Sequence, residues 1–322
     1  MKKTVFALAA AVALPVFAAY PDKPVTIVVP FAAGGPTDTV ARQLAEAMSK
    51  PLGGATVIIE NVGGAGGTIG AGRVAKASAD GYTLLLHHVG MATSPALYRR
   101  LPFKVLDDFE YLGLVNEVPM TLLGRPSLPA KDFAELRKWI TDNKEKVNLA
   151  NAGLGAASHL CGMLLQQTLN VPLQTVPYKG TAPALADLIG NQVDILCDQT
   201  TNTTGQIVSG KVKAYAVTTL KPLTTPGLEK LPTLDSQGLK GFNVTIWHGL
   251  YAPKGTPKEA LDKINAALRV ALKDAKFNEG QEKLGAVVVT DDRVSPAAHK
   301  KFVASEIDKL GNAIRAAGEF AD

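Results

Sequence analysis

Apolar and polar positions alternate between two periods along this chain. Short runs of consecutive apolar residues, such as VTIVVPF (25–31), are followed by stretches with a helical period, such as DTVARQLAEAMSKPLG (38–53), closed by Pro51, Leu52 and Gly53. Strand TVIIEN (56–61), a glycine-rich turn opening a helix (62–72) and strand YTLLLHH (82–88) continue the series. FEYLGLV and VPMTLLGR (118–125) read as two extended pieces. A second series has helix 132–142, strand 147–153, helix 158–170, strand 173–179, helix 182–191, strand 193–198, helix 202–209 and strand 212–219. A stretch punctuated by proline and glycine (222–241) leads to a long strand, 242–253. Helices 257–273, about 274–284 and 296–317 end the chain, with strand AVVVT (286–290) between the last two.

Apolar strands between helices call for parallel-rich sheets covered on both faces. The pattern splits into two α/β units, and the extended stretches near 116–124 and 241–252 are the natural crossovers. The expected division is a leader, 1–18; a first lobe, 19–122; a second lobe, 123–241; and a return to the first lobe, 242–322.

The N-terminus sets the compartment. Lys2 and Lys3 precede an apolar run to Phe17, and small residues follow. This is an export signal, with cleavage expected after Ala18 or Ala19, and it is too short for a membrane anchor. Removing Lys2 and Lys3 lowers the formal net charge from +5 to +3. That suits a small anion, and no basic run with interleaved aromatics points to nucleic acid. Cys161 and Cys197 are the only cysteines. They form either a disulfide or two buried thiols, a choice that spacing does not decide.

Candidate chemistry lies where strands run into helices. Phe31–Asp38 holds Gly34 and Gly35, Pro36, and Thr37 or Asp38 as helix cap; its N–H groups and the helix dipole would attract an anion. NAGLGAASHL (151–160) repeats the logic with Ser158 as cap and His159 in the first turn. VPYKGTAPAL (176–185) and CDQTTNTTGQ (197–206) offer two more seats. The loop VGGAGGTIGAG (62–72) departs from a dinucleotide fingerprint, because Ile69 stands where the third glycine belongs and no acidic residue ends the next strand. No P-loop lysine follows Gly34 and Gly35. His87 and His88, adjacent on a strand, chelate one ion poorly, so neither a metal nor a cofactor is expected. Ser158, His159 and Asp198 lack the nucleophile elbow of a hydrolase, and no enzymatic activity is expected.

The segments YPDKPVTIVVPFAAGGPTDTVAR, VIIENVGGAGGTIGAGRVA, DGYTLLL, VPYKGTAPALADLIGNQVDI and GLYAPKGTPKE together resemble the solute-binding proteins of tripartite tricarboxylate transporters, the Bordetella uptake gene family. The resemblance covers nearly the whole mature chain. It implies a periplasmic two-lobe receptor of the type II Venus-flytrap class, monomeric, which closes on a small carboxylate. Delivery would be to a membrane permease of one large and one small subunit. The implied ligand-binding residues are Phe31, Ala33, Gly34, Thr37 and Asp38; Asn151, Ala152, Gly155, Ser158 and His159; Tyr178, Lys179, Gly180 and Thr181; and His88, Asp198, Thr200, Thr201 and Trp247. Segments 87–103, 151–162 and 197–206 are most similar to members that take aspartate or related acids. A flat aromatic diacid such as terephthalate, held by His88, Trp247 and His248, is the rival. Lys179 favours a second carboxylate and Asp198 an amino group. A sensor presenting its closed form to a signalling partner is the alternative function.

Overall fold

A computed structural model describes residues 20–318. The expected leader and its cleavage point lie outside the described residues. Strands β1 (Val25–Val29), β2 (Val57–Asn61) and β3 (Thr83–His88) form a parallel core in the order β2-β1-β3. β1 is buried along nearly its whole length because it is paired on both edges and covered on both faces, which explains its unbroken apolar run. Helix α1 (Pro36–Ser49) packs Val40, Ala41, Leu44 and Met48 onto this sheet, with Pro36 in the first turn, where its missing N–H costs nothing. Helices α2 (Thr68–Ala75) and α3 (Gly90–Leu97) follow β2 and β3.

The sequence pattern gives no sign of α3. It is buried on almost every side, contains Pro95 and packs against the last helix, so it has no polar face to mark a period.

The two extended pieces expected around 109–125 are one sixteen-residue strand, β4 (Phe109–Gly124). Asn116 and Glu117, which read as a break, lie inside it, and Asn116 is fully buried with both amide atoms bonded. The partners of β4 change along its length. Phe109 to Pro119 pair antiparallel with β9 (Thr245–Pro253), which also pairs with β3. Met120 to Gly124 pair instead with β7 (Ile195–Gln199), and Thr121 to Gly124 with β8 (Lys213–Val217).

The second lobe is completed by β5 (Asn148–Asn151) and β6 (Gln174–Pro177), parallel to one another, with β5 also parallel to β7. Its helices are α4 (Phe133–Asn143), α5 (Ala157–Leu169), α6 (Thr181–Ile189) and α7 (Thr200–Val208). Cys161 of α5 and Cys197 of β7 form a disulfide, which resolves that choice. Helices α8 (Lys258–Ala271), α9 (Ala275–Lys283) and α10 (Pro296–Ala317) return to the first lobe, with a two-residue strand β10 (Val287–Val288) on β4. The fold is thus two α/β lobes joined by β4 and β9. Among the described residues no helix is long and apolar enough to cross a membrane.

Candidate functional site

The turn after β1 meets the turn after β6. The N–H of Ala32 donates to the carbonyl oxygen of Lys179 over 3.1 Å. A second contact is made by Tyr98, whose hydroxyl lies 2.8 Å from the carbonyl oxygens of Ala65 and of Leu154, one in each lobe. Thr93 donates across the same gap to the carbonyl of Gly155. The lobes are closed on one another, and the segments that touch are the turns ahead of α1, α5 and α6.

This contact explains the glycine-rich loop 62–72. A side chain on Gly63 would lie 2.6 Å from the carbonyl oxygen of Lys179, and one on Gly66 would overlap that of Leu154 at 1.8 Å. One on Gly153 would lie 2.7 Å from the N–H of Gly66, and one on Gly180 2.7 Å from that of Ala32. Glycine here lets two backbones approach.

Helices α4, α9 and α10 begin with a side-chain cap, from Asp132, Asp274 and Ser295. Helices α1, α5, α6 and α7 begin without one. The expected caps have other work. Asp38 turns back under the first turn and accepts from Gly34 N–H at 2.9 Å, from Asn61 at 2.9 Å and from both the Nε and Nη2 of Arg42. Burial pushes this carboxyl up, but the bonds from Arg42, Gly34 and Asn61 outweigh it and hold the pKa below the ordinary value. Ser158 likewise accepts from the N–H of Ala152 at 2.8 Å, and Asn151 from that of Gly153 at 2.8 Å. Asp38, Ser158 and Asn151 therefore shape the turns.

With Ala32 and Gly34 spoken for, the N–H groups of Ala33, Gly35 and Thr37 have no acceptor among the described residues. The same holds for Leu154 and Gly155 in the second lobe. These free donors at uncapped helix starts carry partial positive charge.

Residues at the end of β7 add side-chain groups. Asp198, Gln199, Thr200 and Thr201 are buried, and one oxygen of each lacks a hydrogen-bond partner, as does the hydroxyl of Thr181. Asp198 Oδ2 accepts from Asn202 at 2.6 Å, while its Oδ1 is unpaired. The Thr181 hydroxyl is close enough to depress the Asp198 pKa, though neither it nor Oδ1 completes a well-formed bond. Burial dominates and pushes Asp198 up to about 6, against Asn202, the Gln199 N–H and Thr181. Gln199 was not among the expected site residues, since nothing in an amide at a strand end marks it.

His88 stacks on Phe31 with ring centroids 4.5 Å apart, and its Nδ1 accepts from Gly90 N–H at 3.0 Å. Burial holds the His88 pKa down at about 3, so the ring is neutral and its proton lies on Nε2. His159 is buried in the first turn of α5.

Three of the expected residues turn their side chains elsewhere. Trp247 and His248 are neighbours on β9 and face opposite sides. Trp247 packs on Phe302 of α10 at 5.3 Å and donates to Glu306, away from the converging turns, so no ring clamp of His88, Trp247 and His248 is assembled. Tyr178 turns its hydroxyl to Asp187 at 2.7 Å. The Lys179 side chain is exposed, and this residue contributes its carbonyl; of Lys179 and Asp198, it is Asp198 that is turned inward. Among the described residues no cluster of His, Cys, Asp or Glu could hold a metal ion.

Comparisons with known proteins bear on the family and the fold. BugD, a periplasmic binding protein of known structure, is 52% identical, with a TM-score of 0.91 over 94% of this chain and 100% of that one. MatC of Rhodopseudomonas palustris, solved with bound malate, is 39% identical, with a TM-score of 0.87 over 92% of this chain and 100% of the other. The UPF0065 protein of the TAR-I ttuE-ttuC' intergenic region of Agrobacterium vitis is 50% identical over 300 residues, 93% of this chain and 86% of that protein. The model of the tripartite tricarboxylate transporter family receptor matches residues 40–318, and the chain belongs to that family of periplasmic solute-binding proteins.

Proposed function

We propose that this protein is a periplasmic receptor that captures a small dicarboxylate, or an acidic amino acid, between its lobes and delivers it to the membrane subunits of a tripartite tricarboxylate transporter. The observation that carries this reading is the set of unpaired N–H groups on Ala33, Gly35, Thr37, Leu154 and Gly155, contributed by both lobes around one closed gap. A carboxylate taking four or five of them gains about 1.5–3 kcal/mol from each bond. Micromolar affinity needs about 8 kcal/mol, so one carboxylate can supply most of it after ordering costs. The far end of the ligand meets Thr181, Asp198, Gln199, Thr200 and Thr201, whose unpaired oxygens set selectivity. Catalysis has no part in this reading: Ser158 is engaged by the Ala152 N–H and serves the turn. The malate bound by MatC supports the ligand class.

Both lobes supply donors, so the closed form binds best and the ligand shifts the balance toward it. The pairing of β4 changes partner between Pro119 and Met120, and this supports a hinge there and at the facing Thr245. Thermal-shift screening against malate, succinate, aspartate, glutamate, citrate and terephthalate tests the reading. A ligand at 1,000 times its Kd should add about 4 kcal/mol of stability. No shift with any acid would refute it.

A further inference from the structure

Five side chains form an unbroken run of hydrogen bonds from the groove between α1 and α9 to the first turn of α1. Gln281 Nε2 donates to Gln43 Oε1 over 2.7 Å. Asn116 Nδ2 donates to Gln281 Oε1 over 2.6 Å. His248 Nδ1 lies 2.8 Å from Asn116 Oδ1, and His248 Nε2 lies 3.2 Å from Thr37 Oγ1. Thr37, Asn116, His248 and Gln281 are all buried.

Each link fixes the direction of the next. An amide oxygen only accepts, so His248 Nδ1 carries the proton facing Asn116. Burial keeps the ring neutral, with one proton in all, so Nε2 is bare and accepts. Thr37 must then donate its only hydroxyl proton to His248. Its oxygen is left with lone pairs alone, in the residue whose own N–H is free and two residues from the free N–H of Gly35.

We infer that this run makes Thr37 a specificity residue, presenting an acceptor beside the N–H groups that hold a carboxylate. The protein thereby favours acids bearing a hydroxyl or ammonium group next to that carboxylate over unsubstituted ones. The inference rests on the receptor reading. Asn116 and His248 stand on the two crossover strands, and with Gln281 they are positioning residues that act through Thr37.

Two measurements test it on the purified protein. Nitrogen NMR of His248 should show the tautomer protonated at Nδ1; protonation at Nε2 would mean that Thr37 accepts from His248 and keeps its own proton free to donate to the ligand, which overturns the inference. Calorimetric titration with L-malate and succinate should give malate about a tenfold advantage, the scale of one hydrogen bond. Thr37→Ser should keep that ratio, and Thr37→Val should bring it to within about twofold. A wild-type ratio near one, or a ratio that survives Thr37→Val, overturns the inference. A protein that binds neither acid overturns it too; if another carboxylate still binds, the receptor reading stands.

Discussion

The N–H of Ala32 reaches the carbonyl of Lys179 across the gap between the lobes, and a few residues away a Cβ built on Gly34 lies 3.9 Å from that of Ala182. That separation is within the range of a disulfide. Gly34→Cys combined with Ala182→Cys should therefore cross-link the lobes when oxidised, at a local cost of about 1–2 kcal/mol for the positive φ of residue 34. Small-angle scattering should then show the compact form without ligand, and reductant should restore the open population. A cross-linked protein with unchanged dimensions in every condition would mean that the lobes do not separate.

Gly180→Ala probes closure by sterics. The added carbon would sit 2.7 Å from the Ala32 nitrogen, while the extended backbone at 180 tolerates any residue. Ligand affinity should fall at least about tenfold with little change in the melting temperature of the free protein, because the contact is made on closing. An equal loss of stability and affinity would assign Gly180 to the fold.

The pH dependence of stability has two opposing parts. Burial holds His87, His88, His248 and His299 below the ordinary imidazole value, so they stay neutral when folded. Their contribution is full above about pH 6.5 and is lost as the pH falls, when only the unfolded chain takes up the protons. Asp198, raised to about 6 by burial, acts the other way: its contribution is full below about pH 4 and is lost as the pH rises through 6. Near pH 5.5 the unfolded chain should bind about three more protons, a loss of about 4 kcal/mol per pH unit on acidification. Asp198→Asn should steepen that slope by about one proton and raise stability at pH 7.5 by up to about 3 kcal/mol. Urea titrations at the two pH values check both numbers.

The Cys161–Cys197 bond closes a loop of 36 residues of sequence separation and ties the helix behind the 151–158 turn to the strand that ends in Asp198. By loop entropy, replacing both cysteines with alanine should cost about 4 kcal/mol of stability. Equal urea midpoints for the two proteins would contradict this.

Much of the fold was legible in the sequence. The strand ends at Phe31, Asn151, Tyr178 and Asp198 followed from apolar runs meeting glycine or hydroxyl residues, and those turns are where the lobes meet or where unpaired oxygens gather. What was hidden is tertiary. Asp38 and Ser158 are the residue types that cap helices, yet both bond to N–H groups earlier in their own turns, a geometry that only the folded loop fixes. Trp247 and His248 face apart because strand alternation separates neighbours, and which of the two faces inward depends on register. Asn116, Gln281 and Gln43 looked like ordinary polar residues, since nothing local shows that they meet from three distant parts of the chain.

Amide NMR of the protein titrated with malate, or with whichever acid stabilises it, tests the central claim most directly. The N–H signals of Ala33, Gly35, Thr37, Leu154 and Gly155 should move together toward the frequencies of strongly hydrogen-bonded protons as the acid saturates. If those five stay in place while the acid binds, or if the shifts gather around the groove between α1 and α9, the carboxylate is not held by the turns where the lobes meet.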